Sequence, residues 1–331
     1  GLFLSAEPFQ CPGGGDPGGP GDPGEPAGPG DDPGGGPGEG PGDLPDEPGC
    51  NTAGNPIELF SGYAMPKTGG LRCRGLTPME LGLSYHPVDA FQGRGGLHGS
   101  VGDGWVLDHD IVLADAAIVP NSKRLILPPN NRINFALQPD GSYTAQDDPR
   151  FHGAVLRLAS SSPREWVLQF KDGRKWRFGM TDATGLTASF LIETVDASGN
   201  AMQIVRRADR KITAIGTSQR SYTLSYGANG FVDEIRDPAN RSLKLSYNAA
   251  NRIETITNPE GGVRRYTYAG DDQFPEEPLC PQGTDGQRIS TAQYPSRSAS
   301  TQNFFSPSRR VVRQLGFDGR EFRFAYLVTG A

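Results

Sequence analysis

The sequence predicts an all-β chain, with antiparallel hairpin repeats forming an open, spiralling β-sheet preceded by a disordered Gly/Pro-rich segment. Three observations carry this expectation: short runs alternate apolar and polar residues, the runs recur every 21 residues, and Gly, Pro, Asn and Asp punctuate the intervals. Strict alternation places one face of a strand in the core and the other in water, whereas helical periodicity is nearly absent.

The chain begins with a polymer of different character. Residues 1–11 read either as the remnant of a signal peptide, with Ala6 at the cleavage position, or as an open-reading-frame boundary. Between residues 12 and 49, Gly and Pro occupy 27 of 38 positions. That stretch holds nine acids and no base, too little apolar surface to offset the entropy of ordering, so it is expected to be a solvated linker. Gly15, Gly18, Gly21 and Gly24 recur every third residue, but the register breaks at Ala27, which argues against a collagen helix.

Residues 50–331 carry 32 basic and 28 acidic side chains, a balance that does not point to nucleic acid. No apolar run approaches the roughly 18 to 20 residues that a membrane span requires. Cys11, Cys50, Cys73 and Cys280 lie too far apart for a zinc pattern. In an exported chain Cys50 with Cys73 is the favoured disulfide, and four unpaired thiols are the alternative.

Within the folded part, residues 50–190 form a β-rich entry domain with short runs such as Glu80–Tyr85, Arg124–Leu127, Ile133–Leu137 and Trp166–Phe170. Residues 191–270 hold the repeats. Tyr226, Tyr247 and Tyr268 are spaced by 21, each ending an alternating run, and Pro238 to Pro259 keeps the same interval in the turns. Each unit therefore contains two strands and two turns, and stacked units bury the face that a lone hairpin would leave in water. Residues 271–308 are rich in Pro, Ser, Thr and Gln and are expected to be a disordered insertion. Residues 309–331 repeat the theme in part, with Asp318-Gly319-Arg320 as the turn and Tyr326 at the tyrosine position. The tyrosines should stack as a buried ladder, each hydroxyl needing a partner.

These residues resemble the Rhs/YD-repeat family over roughly residues 54–331. The degenerate repeats are Tyr226-Gly-Ala-Asn-Gly230, Tyr247-Asn-Ala-Ala-Asn-Arg252 and Tyr268-Ala-Gly-Asp, in which Gly227, Asn248 and Ala269 stand where the family has Asp. The entry segment is also similar in order and spacing: Gly54-Asn55-Pro56-Ile57 with Ser61-Gly62, then Tyr85, then Gly102-Asp-Gly104-Trp105. The resemblance implies a partial β-cocoon, a shell that encloses or delivers a toxin cargo supplied by downstream repeat chain, in a protein secreted from or displayed on a bacterial cell. A surface module that adheres to a cell-surface glycan or protein is the alternative. Neither reading calls for a cofactor, a nucleic acid or a membrane span.

No convergent catalytic set is visible. The four histidines, His86, His98, His109 and His152, form no His-Glu-x-x-His pair. On a strand, Asp108 and Asp110 would face away from His109, so the three would not chelate one ion. Gly93–Gly102 lacks the Lys-Ser/Thr ending of a phosphate loop and reads as a turn region. The doublets Arg206-Arg207, Arg264-Arg265 and Arg309-Arg310 are expected on the solvent face of the repeat strands.

Overall fold

The computed structural model describes residues 52–53, 57–58, 67–73, 79–87, 99–116, 121–129, 131–145, 148–179, 188–269, 288–295, 297–305 and 310–325. Asn55, Pro56, Gly62 and Tyr326 lie outside them, as do residues 1–51 with the expected signal remnant and linker. Among the described residues the elements are antiparallel β-strands and one 3₁₀ turn at Pro149–Phe151. No helix among them is long and apolar enough to cross a membrane.

The all-β expectation holds, and the sheet has two parts. Strands Val112–Asp115, Ser122–Leu127, Asn131–Leu137, Tyr143–Thr144, Val155–Ser161, Arg164–Gln169, Lys175–Gly179 and Ser189–Val195 each pair with the next. The eighth then returns to the first through Ser189↔Leu113 and Phe190↔Val112, closing a ring. Its interior is filled by Leu125, Phe135, Phe151, Leu168, Trp176 and Phe178. Phe151 touches Phe135, Phe170 and Trp176 at ring-centroid distances of 5.7 to 6.3 Å, so the described residues fill the ring as a packed core.

Ser189–Val195 belongs to both parts. Its first half closes the ring, and its second half pairs Glu193–Val195 with Ala201–Gln203, from which the repeat sheet runs on. Strands Ala201–Arg206, Ile212–Gly216, Ser221–Tyr226, Val232–Arg236, Ser242–Tyr247, Ile253–Thr257 and Val263–Ala269 form an uninterrupted meander. Within the stretch read as a disordered insertion, Arg288–Gln293 and Ser300–Phe305 are strands that continue it, followed by Val311–Leu315 and Glu321–Arg323. That correction has a physical basis: the strands bury Ile289, Ala292 and Phe305, and polar residues that share the buried positions can find partners there, as Asn303 does on the Ile289 carbonyl.

One turn recurs along the chain. In each, the residue before the turn donates its amide to the carbonyl four residues on and accepts from the amide three residues on, as at Asp196, Asp237, Asn248, Asn258 and Gly316. The third position has positive φ and is Gly, Asn or, once, Arg210 at 72°. This is a type I turn with a left-handed residue, the usual three-residue hairpin loop. Pro238 and Pro259 sit at its first position, where a fixed φ suits the turn.

Candidate functional site

The 21-residue beat marks more than strand ends. The ladder register slips between Ser225 and Tyr226, Ser246 and Tyr247, and Thr267 and Tyr268, with the extra residue on the following strand at Asp233, Glu254 and Ser290, so each tyrosine stands opposite a β-bulge. A bulge bends its strand and re-aims the next side chain. Here the bent strand is the tyrosine's partner, and each tyrosine ring lies back across the preceding unit. Tyr226 donates its hydroxyl to the carbonyl of Ile212, Tyr247 to Val232 (2.6 Å) and Tyr268 to Ile253 (2.7 Å). Each acceptor opens the strand one unit upstream, and all three acceptor side chains are fully buried. The tyrosines thus form a rank of latches.

The rank extends past the tyrosines. The same slip falls between Val205 and Arg206 and between Phe304 and Phe305. Arg206 reaches back through Nε to the carbonyl of Leu191 (3.2 Å), and Nη1 meets Asp110 at 2.8 Å with both side chains almost wholly excluded from water. The expectation that Arg206 lies on the solvent face is therefore wrong for this residue. Its partner Asp110 comes from the entry segment and makes burial tolerable, whereas Arg207 is exposed and pairs with Asp209. At the far end Phe305 has no donor, and Asn303 supplies one instead, with Nδ2 on the carbonyl of Ile289 (2.9 Å). Arg206 was hidden in the sequence because 21 residues back from Tyr226 falls on Val205.

The rank is also where the entry segment docks. Strand Met79–Tyr85 pairs with Lys67–Cys73 and with Trp105–Leu107, so Tyr85 and Trp105 are direct neighbours. Their rings lie 5.2 Å apart, Tyr85 is 5.7 Å from Tyr268, and Trp105 is 5.0 Å from Tyr266. The Trp105 indole donates to the Tyr268 hydroxyl at 2.8 Å, which in turn donates to the Ile253 carbonyl. Tyr222 donates toward the carbonyls of Leu71 and Met79, both at 2.8 Å. Residues 99–104 complete the contact: Val232 donates to the Ser100 carbonyl (2.9 Å), Asp103 to the Asn251 carbonyl (2.8 Å), and Gly104 accepts from His86 (2.9 Å). A Cβ at Gly102 would stand 2.4 Å from the Asn251 carbonyl, at φ +33°, so the loop approaches the sheet as closely as only glycine permits.

Leu71, Leu81, Leu83, Tyr85, Trp105 and Leu107 share one buried cluster with Tyr222, Leu224, Val232, Ile235, Ile253 and Ile256. The inner face of this part of the sheet is therefore covered by the entry segment. Burial raises the tyrosine hydroxyls: desolvation pushes Tyr226 up to about 12, and lifts Tyr85, Tyr222, Tyr247, Tyr266 and Tyr268 further. Desolvation also raises Asp103, against the opposing field of Arg252.

Of the residues singled out in the sequence, Tyr85, Gly104, Trp105, Tyr226, Tyr247 and Tyr268 meet at this interface. Pro238 and Pro259 lie apart in hairpin turns. Asp108, His109 and Asp110 form a turn rather than a strand: Asp108 accepts from Ser84 (3.0 Å), His109 is buried and Asp110 holds Arg206. Among the described residues no three His, Cys, Asp or Glu side chains gather as a metal ion would require. Cys73 accepts from Arg220 (3.6 Å), and Cys50 lies outside the described residues.

The chain matches no protein-family model and no curated protein. Among solved structures it is similar to the Photorhabdus luminescens Tc holotoxin pore, with 12% identity and a TM-score of 0.25, over 78% of this chain and 11% of that one. It is also similar to a TcdB2–TccC3 structure, with 9% identity and a TM-score of 0.22, over 73% of this chain and 17% of that one. The chain spans less than a fifth of either.

Proposed function

We propose that this chain is a non-catalytic structural segment of an Rhs/YD-type β-shell, secreted or displayed on a bacterial cell surface, whose wider assembly encloses or delivers a toxin cargo. The observation that carries the reading is the latched tyrosine rank with the entry segment docked on it. Its polar groups are spent on carbonyls of neighbouring units, which is the chemistry of holding a sheet together rather than of turning over a substrate. The resemblance of the Tyr85, Gly104-Trp105 and tyrosine-repeat residues to Rhs/YD proteins supplies the shell context. With the entry segment against its inner face, this part of the sheet serves as a self-filled end of the shell, and cargo space belongs to further repeats.

The test is to express the chain with whatever reading frame follows Ala331 and to image the product by electron microscopy. A hollow particle with a solid end that antibodies to the entry segment mark is the expected result. A particle lacking any enclosed volume, together with saturable binding of residues 1–331 on a glycan array, would replace the shell reading with adhesion.

A further inference from the structure

The charge of the folded part is unevenly placed. Residues 288–325 carry seven arginines and two acids, while the rest of residues 50–331 holds 25 bases against 26 acids. Upstream, outer-face arginines are matched locally: Arg177 lies between Glu165 and Glu193, Arg236 meets Glu234 and Arg241 meets Asp237. On the last two strands the matching fails. Arg313 and Arg323 are register partners on adjacent strands and share the single carboxylate of Glu321, at 4.0 and 2.6 Å. Arg320 has Asp318, and Arg297 lies over the Phe317 ring at 4.7 Å. The side chains of Arg320 and Arg323 are 79% and 81% exposed.

A second observation places the start of the folded chain at the same spot. The hairpin formed by Thr52–Ala53 and Ile57–Glu58 puts Ile57, fully buried, in one cluster with Phe305, Val311 and Phe324. The sequence immediately before this hairpin holds nine acids between Asp16 and Glu47 and no base. Thirty-eight Gly/Pro-rich residues have a reach on the order of 35 Å. The last two strands, at about 3.4 Å per residue, are shorter than 20 Å.

We propose that the acidic tract, Asp16 to Glu47, docks on the arginines of the last two described strands and the turns beside them, Arg313, Arg323, Arg320 and Arg297, of its own chain. Anchoring by Ile57 makes the encounter intramolecular, so weak individual ion pairs act at a high effective concentration. The binding is electrostatic, with no apolar contribution from the tract, so salt dissolves it. The tract screens the surplus arginines on the face of the last two described strands that carries the Arg313–Arg323 pair.

The experiment compares arginine Nε–Hε NMR spectra of the unaltered 331-residue chain with a variant carrying Asp→Asn and Glu→Gln at the nine tract acids. The expected result is a set of shifts concentrated on Arg297, Arg313, Arg320 and Arg323, with Arg236 and Arg265 unmoved. The difference should vanish at about 1 M salt, where the screening length is about 3 Å, and persist on tenfold dilution. Absence of any difference overturns the proposal, as does a difference spread evenly over the outer face. A difference that fades on dilution also overturns it, because the tract would then be docking on another copy.

Discussion

Arg206 is the residue on which the rank turns from tyrosine to charge. A guanidinium buried with one carboxylate is tolerable only while both are present, since either alone leaves an uncompensated charge in the core. Arg206→Met should therefore destabilise the chain by about 3 to 5 kcal/mol. The double variant Asp110→Leu with Arg206→Met should recover much of that loss, and urea denaturation of the three proteins checks the order. The tyrosines follow a milder rule. Tyr247→Phe removes a single hydroxyl from the Val232 carbonyl and should cost about 1 kcal/mol. Tyr268→Phe removes a hydroxyl that also accepts the Trp105 indole, stranding a donor in the core, so its cost should be larger, about 1 to 3 kcal/mol. The same denaturation series compares them. Equal costs for the two substitutions would mean that the indole bond contributes nothing.

At the scale of elements, the repeat strands were legible because alternation and turn chemistry agree in every unit. Tyr222, Leu224 and Tyr226 fall on one face, as Leu243, Leu245 and Tyr247 do, and the turn glycines and asparagines fall at the left-handed position. The bulge is carried by the strand opposite each tyrosine, where the extra residue spaces the buried pairs Val232/Ile235 and Ile253/Ile256 by three, a break in the two-residue period that turn chemistry and alternation alone do not assign to a bulge. Ring closure was hidden because the sequence division at residues 190 and 191 falls inside Ser189–Val195, and only the pairing of Phe190 with Val112 shows that this one strand serves two sheets. The glycine-rich stretch Gly93–Gly102 reads in sequence only as a turn region, yet Gly102 is held against the Asn251 carbonyl and the Tyr247 ring. Gly102→Ala should push residues 99–104 off the rank. Faster hydrogen exchange at the amides of Asp103 and Val232 would report it, with the ring strands Arg164–Gln169 and Lys175–Gly179 unaffected. Unchanged exchange at Asp103 and Val232 would show that the loop is not held by close approach.

Over the whole molecule, the buried tyrosines make stability depend on alkaline pH. Desolvation holds Tyr85, Tyr247, Tyr266 and Tyr268 protonated well past the ordinary value near 10, and Tyr226 to about 12. The folded state thus keeps protons that the unfolded chain gives up above about pH 10. Because the folded values are raised, this contribution is complete below pH 10 and is lost as pH rises through the folded values. Each tyrosine that ionises only on unfolding removes about 1.4 kcal/mol per pH unit in that window. Several doing so together should unfold the domain cooperatively between about pH 10 and 12, with tyrosinate absorbance rising in step with loss of the β circular-dichroism signal. Tyr247→Phe should make the transition less steep in pH, as one fewer proton is released. Tyrosinate absorbance that rises gradually near pH 10 while the β signal persists would mean that the rank is open to water in the folded protein. The latches would then be surface features rather than the bonds that tie one repeat to the next.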